Sequence, residues 1–582
     1  MPAAEQLITD NLEIWTSAVQ MKSASGRGKS NKLDIYGIKK LRELILELAM
    51  RGSLVPQDPN DEPASELLKK IAAEKAQLVK DGKIKKPREL PALEDEDRAF
   101  DLPDGWEWVR FGEIARHNAG KTLDKRRNTG EPRDYLTTSN LYWGRFDLTE
   151  VRQMLIKEDE LEKCTARQGD LLICEGGEAG RAAVWAEPGE ICFQNHIHRA
   201  RFYGDLNPYY AYRYFELLSA SGEIEKYRKG VGISNMSGKA LATIPFVLPP
   251  LAEQARIVAK VDELMALCDQ LEQQQEASIT AHQALVQTLL DALTTASERD
   301  GFTAAWARIA DHFDTLFTTE WSIDQLKQTI LQLAVMGKLV PQDPNDEPAC
   351  ELLKKIAAEK AQLVKDGKIK KQKALPEIRD DEEPFELPDG WVWTRLGDLF
   401  ALVTDGDHQA PPKVDAGVPF LVIGNLNTGR VDLRNSRFVP SEYFESLDWV
   451  RKPAKGDLLY TVTGSYGIPI EIDVDKAFCV QRHVAILKSV TSSPEEYVSR
   501  ALKSPYAFAY STDIATGIAQ KTVPLTGLRK MPIPVPPKSE REAIVAKIDA
   551  LTALCDTLKT RFDTAQTTQS YLADAMAEQA DV

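Results

Sequence analysis

Residues Gly52 to Lys86 read GSLVPQDPNDEPASELLKKIAAEKAQLVKDGKIKK, and residues Gly337 to Lys371 read GKLVPQDPNDEPACELLKKIAAEKAQLVKDGKIKK. Over these 35 positions only Ser53/Lys338 and Ser65/Cys350 differ, at an offset of 285. The chain is one unit written twice, which gives it two similar surfaces and points to a target in two parts. Within the block, Glu66 to Asp81 is rich in Leu, Lys, Ala and Glu, and Gly82 supplies a C-terminal stop. That composition predicts a helix.

The offset persists outward. Leu102-Pro-Asp-Gly-Trp106 matches Leu387-Pro-Asp-Gly-Trp391, and Asn140 and Arg145 match Asn425 and Arg430. After an offset change to 287, Gln194 and His196 match Gln481 and His483, and Ile257-Val-Ala-Lys260 matches Ile544-Val-Ala-Lys547. Past Pro250, Ile257, Val261, Leu264, Cys268 and Leu271 recur at steps of four and three. This is coiled-coil spacing, repeated at Ile544, Ile548, Leu551, Cys555 and Leu558 and resumed at His282, Val286, Leu289 and Leu293. A helix from about 252 to 295 spans roughly 65 Å. An ordinary amphipathic helix on its own domain fits the seam too; the duplication favours pairing.

Between the framework pieces lie diverged regions rich in Gly, Pro, aromatics and β-branched runs. Leu171–Cys174, Ile191–Phe193, Leu458–Val462 and Val484–Leu487 predict strands, and Pro208–Leu218 and Pro494–Lys503 predict short helices. The expected fold is α+β, with two mixed globular domains separated by long paired helices in an internal pseudo-two-fold duplication. The expected order is a flexible tail over 1–30, a helical arm over 31–103, and a first globular domain over 104–247. A long helix over 248–297 and a second framework piece over 298–388 follow. The second globular domain covers 389–534, and the second long helix 535–582.

The composition narrows the class. The 582 residues exceed one core, and the net charge is −15. Residues 104–247 carry 20 Lys/Arg against 21 Asp/Glu, and residues 389–534 carry 16 against 16. The acidity therefore belongs to the framework. The seven cysteines form no CxxC pair and read as reduced thiols. Neither a secretory start nor a run of about 18 apolar residues is seen, so a cytoplasmic chain is expected. Catalytic signatures are lacking. Asn207-Pro-Tyr-Tyr210 misses the second proline of an amino-methyltransferase tetrad, and Ser23 to Ser30 misses the first glycine of a phosphate loop. His196 and His198 have no Cys or Asp partners at metal-ligand spacing.

The order of diverged domain, long helix, diverged domain, long helix resembles the specificity subunit of type I restriction–modification systems. Gly230-Val-Gly-Ile-Ser-Asn-Met-Ser-Gly238 and Ile244-Pro-Phe-Val-Leu-Pro-Pro-Leu-Ala-Glu-Gln254 carry the resemblance, with a weaker second copy at Ile533-Pro-Val-Pro-Pro537. Thr404-Asp-Gly-Asp-His408 is similar to an entry motif of that family. The resemblance implies two target-recognition domains, each reading half of a bipartite, asymmetric site in double-stranded DNA. It implies no catalysis by this chain. Partners would be two adenine-methyltransferase modification subunits, which bring S-adenosylmethionine, and restriction subunits, which use ATP and Mg. The repeated arm would contact the modification subunits.

Side chains that could touch DNA are Lys121, Lys125, Arg126 and Arg127, a basic run with aromatic neighbours Tyr142 and Trp143. In the second domain His408, Arg430, Lys521 and Thr522 are candidates. Shared residues should serve fold or backbone contact, as for Arg145 and Arg430. Residues that differ at matched places should read bases: Tyr142 against Asn427, Asn195 against Arg482, and the loops Ser234–Asn235 and Lys521–Thr522. A self-contained methyltransferase is disfavoured by the missing motifs. A protein-binding tandem-repeat scaffold without DNA contact remains the rival reading, which the acidic charge favours.

Overall fold

A computed structural model describes residues 6, 8–21, 33–124, 128–229, 234–296, 298–407, 411–518 and 520–579. The chain divides into two compact units, one of residues 1–279 with 565–582, the other of residues 280–564. The boundaries repeat the 285 offset, because 565 lies 285 positions beyond 280. Each unit thus takes the last stretch of one long helix and the first stretch of the other.

The long helices run Leu251–Thr295 and Lys538–Gln579. Their seams explain why they form. Ile257, Val261, Leu264 and Cys268 are buried in the first unit, in one core with Ala573 from the chain's last helix. Val286, Leu290 and Leu293 are buried in the second, in one core with Ile544, Ile548 and Cys555. Burial of each such side chain contributes about 1.5–3 kcal/mol. Leu290 is buried and the expected Leu289 only partly so, because the helix drifts relative to a strict heptad.

Each diverged region enters and leaves through an antiparallel pair. Glu107–Arg110 pairs with Pro245–Leu248, and Val392–Arg395 pairs with Pro532–Val535. Inside the first stands an antiparallel sheet in the order Ala182–Val184, Leu171–Cys174, Ile197–Phe202, Ala115–Ala119. The second unit repeats it as Pro469–Glu471, Leu458–Thr461, Val484–Lys488, Leu402–Asp405. A second sheet completes each domain, of four strands in the first and three in the second. Its parallel pair is Cys192↔Tyr135 in one unit and Phe420↔Cys479 in the other. The predicted strands coincide with members of these sheets to within a residue, and the predicted short helices are observed as Pro208–Ala220 and Glu495–Leu502.

One difference from expectation appears in the framework. The tail over 1–30 is not all free chain: Ile8, Trp15 and Ala18 are fully buried in the first unit. The helix Leu12–Ser17 packs on the helix Tyr36–Met50 at Gly37, where a Cβ would stand 2.2 Å from the Trp15 carbonyl oxygen. A six-residue helix carries too little periodicity to be read from sequence. The arm helices, Ala64–Lys80 and Ala349–Lys365, bury only Ala64, Leu67 and Ile71 in the first and Ala349 and Ile356 in the second, and each keeps an exposed outer face. Each ends at a glycine in the left-handed region, Gly82 (φ +70) and Gly367 (φ +69). There the amide of Lys83 donates to the Leu78 carbonyl, closing the last turn.

Candidate nucleic-acid interface

The duplicated sequence blocks meet at the start of each long helix. Glu253 is almost fully buried and accepts hydrogen bonds from the Trp106 indole at 2.9 Å and the Gln57 amide at 3.2 Å. Gln57 also donates to the Gly52 carbonyl at 2.6 Å. In the second unit Trp391 donates to Glu540 at 2.9 Å, and Gln342 to Glu540 at 3.2 Å and to Gly337 at 2.6 Å. Burial raises both carboxyl pKa values, and the indole and amide donors oppose it. So PQDPNDEPA, LPDGW and the helix start form one clasp, which fixes the stem of each recognition domain. Sequence reasoning left these blocks separate; the signal was their shared identity in both copies. Lys338 differs from Ser53 for a local reason. Its ammonium donates to the Ala296 carbonyl at 2.7 Å, past the end of the first long helix.

Beyond the clasp, the matched candidates separate into support and surface. Asn140 Oδ1 accepts from the Thr137 amide at 3.0 Å and hydroxyl at 2.7 Å. Its Nδ2 donates to the carbonyls of Asp147 and Glu150, both at 3.0 Å. Asn425 likewise accepts from the Val422 amide at 3.1 Å. Both are fold residues. The following turn presents the diverged side chains. Tyr142 is exposed under the Arg145 guanidinium, 4.5 Å from its ring centre. Trp143 is half-buried and donates to Glu178 at 2.9 Å. At the equivalent turn Asn427 and Arg430 are exposed.

A second loop follows a glutamine strap, in which Gln194 bridges in parallel to Lys121 and Gln481 to Asp407. The Asn195 amide donates to the Lys121 carbonyl at 2.9 Å, and the Lys121 amide to the Phe193 carbonyl at 3.0 Å. Asn195 is half-buried, while Arg482 at the matched place is exposed and donates to His483 at 3.4 Å. Asn235 is exposed, on a two-residue strand Ser234–Asn235 paired to Gly176–Gly177. Lys521 is exposed, and the Thr522 hydroxyl donates to Thr463 at 3.3 Å. The structure thus gathers Asn195 with Lys121, and Thr522 with Thr463. Lys125, Arg126, Arg127 and His408 lie outside the described residues.

The charges differ from a simple basic face. Lys121 is paired with Glu160, Arg181 with Glu178 at 2.9 Å, Arg434 with Asp432 at 3.0 Å and Arg451 with Asp407 at 3.2 Å. Arg145, Arg430, Arg482 and Lys521 have no ion-pair partner among the described residues. Under the first sheet, His198 Nε2 lies 3.0 Å from the Met236 carbonyl oxygen and 3.7 Å from Glu175. Burial lowers its pKa, and burial with the neighbouring His198 lowers that of His117 to about 4. Both rings are neutral supports at neutral pH. Among the described residues no cluster of His, Cys, Asp and Glu could hold a metal ion.

Residues 103–281 match the family model described as the type I restriction modification DNA specificity domain. The type I restriction enzyme EcoAI specificity subunit of Escherichia coli is 41% identical over 99% of this chain and 100% of its own length. The chain belongs to the family of type I restriction enzyme specificity subunits. The EcoEI specificity subunit of Escherichia coli is also 41% identical, over 99% of this chain and 100% of its length. The crystal structure of the HsdS subunit from Thermoanaerobacter tengcongensis is 18% identical. It covers 83% of this chain and 98% of that one, with a TM-score of 0.41. The matches to the EcoAI and EcoEI subunits extend over both units of this chain.

Proposed function

We propose that this chain reads an asymmetric bipartite site in double-stranded DNA, one diverged domain per half. One observation carries the reading: two units with the same sheets and the same clasp present different side chains at matched turns. Tyr142 stands against Asn427, and Asn195 against Arg482. An asparagine can pair with adenine and an arginine with guanine, so such differences suit two unlike half-sites. Arg145 and Arg430 serve phosphate contact in this reading, while Trp143 and the loops Ser234–Asn235 and Lys521–Thr522 belong to the base-reading surface.

The chain itself carries no catalysis. It joins a restriction–modification complex, in which two adenine-methyltransferase subunits dock along the framework and restriction subunits complete the assembly. S-adenosylmethionine, ATP and Mg belong to those partners, and base flipping is the task of the modification subunits. The exposed faces of the two near-identical arm helices suit a pair of identical partners. Among the described residues no helix is long and apolar enough to cross a membrane, and the working place of such a complex is the cytoplasm.

Titration of the assembled complex against duplexes carrying the host-methylated motif and against random sequence tests this reading. Tighter, salt-sensitive binding to the motif is expected. Absent or salt-insensitive binding would favour the scaffold reading, toward which the net charge of −15 leans.

A further inference from the structure

Ion pairing ties down Lys121, Arg181, Arg434 and Arg451 at the reading surface, and phosphate neutralisation supplies much of the affinity of a DNA-binding protein. Free cations gather elsewhere in the second unit. A groove of about 870 Å³ opens between the arm and the recognition domain, lined by Lys360, Lys370, Lys373, Arg529 and Lys530 with one acid, Asp398. None of the five cations has an ion-pair partner among the described residues. Lys360 donates to the Gly397 carbonyl at 2.9 Å, and Arg529 to the Val403 carbonyl at 2.6 and 3.0 Å. These carbonyl bonds orient Lys360 and Arg529, and Asp398 is the single carboxylate in the lining to set against the five positive charges. Burial lowers the Lys360 pKa, and the neighbouring Asp398 carboxylate partly opposes it.

The groove has a partial counterpart. Lys75, Lys85 and Arg88 stand at the matched places in the first unit, and Lys75 donates to the Glu113 carbonyl at 3.0 Å. Arg529 and Lys530 correspond to Ala242 and Thr243, so the denser site belongs to the second unit. Leu402, which lines the groove, begins the strand that leads toward Asp407 and the glutamine strap. Five residues of extended chain span about 16 Å, or roughly five nucleotide steps.

We propose that this groove holds the phosphodiester backbone of the DNA flank beside the second half-site. The proposal rests on the DNA reading above and adds a sequence-independent contact to it. The complex of the full chain with its modification subunits, carrying Lys370→Gln, Lys373→Gln and Lys530→Gln together, tests it. All three side chains are exposed, so folding is expected to survive. Binding is measured across about 50–200 mM salt on a duplex with the recognised site in long flanks and on an unrelated duplex. The slope of log affinity against log salt should become less negative by about 2.7 on both, with the preference between them unchanged. A Lys→Arg variant at the same three positions should keep the parental slope. An unchanged slope for the glutamine variant overturns the proposal. Loss of a modification subunit at parental slope overturns it too, and assigns the groove to an acidic protein segment. If the parent complex binds no DNA, the underlying reading fails, and the groove proposal falls with it.

Discussion

Lys121 and Asp407 occupy the same place in the two units and carry opposite charge. Each bridges in parallel to the matched glutamine, Gln194 or Gln481. Lys121 is held by Glu160, whereas Asp407 is held by Arg451 at 3.2 Å and by the Tyr443 hydroxyl at 2.9 Å. The anchor has survived while its polarity has reversed. That is the behaviour expected of a support under a loop whose sequence is free to change.

Reversing one side of this anchor should therefore disturb one half-site. Asp407→Lys places two cations together and should weaken binding about tenfold, or about 1.4 kcal/mol. Adding Arg451→Glu should restore most of it. Binding measured on duplexes altered in one half at a time checks this. Failure of the double variant to recover would show that the residues act separately.

The clasp predicts a stability effect common to both units. Glu253→Ala or Glu540→Ala leaves a buried tryptophan N–H without an acceptor and should cost about 1–3 kcal/mol. Glu→Gln keeps one acceptor oxygen for the indole and removes a buried charge but turns an NH2 toward the glutamine amide, so it should cost less than Ala. Denaturant unfolding of each variant compares them. An equal loss for Ala and Gln would mean that the charge itself matters.

Acid should weaken the first unit through its histidine pair. His117 falls from 6.5 to about 4 in the folded chain, and His198 falls too, both chiefly by burial. The unfolded chain therefore takes up protons first. The contribution of the neutral rings is complete above pH 6.5 and is lost as pH falls toward 4. His117→Gln should flatten that dependence in unfolding curves taken across this window. An unchanged pH profile would place the acid sensitivity elsewhere.

The long helix predicts a ruler. A heptad inserted near Gln274 adds about 10.5 Å of helix, or about three base-pair steps. Motifs read from methylated host DNA should widen by about three positions with both half-sites intact. An unaltered gap would show that the helix does not set the spacing.

Much of this architecture was legible in sequence because it is periodic or repeated. The seam from Ile257 to Cys268 announced the long helix, and the matched blocks announced two units. The clasp was not legible, because Gln57, Trp106 and Glu253 come together only through tertiary folding. The buried stretch around Trp15 was missed because six helical residues show too little periodicity. Charge misled most: Lys121 reads as a free cation in a basic run, but Glu160 lies 39 residues away in sequence and beside it in space.

The central claim is that each diverged domain reads one half-site. Exchanging residues 104–247 for the equivalent domain of another specificity subunit, followed by methylation-aware sequencing of host DNA, tests it most directly. The motif should change in one half and keep the other half. A motif changed in both halves, or in neither, would contradict it.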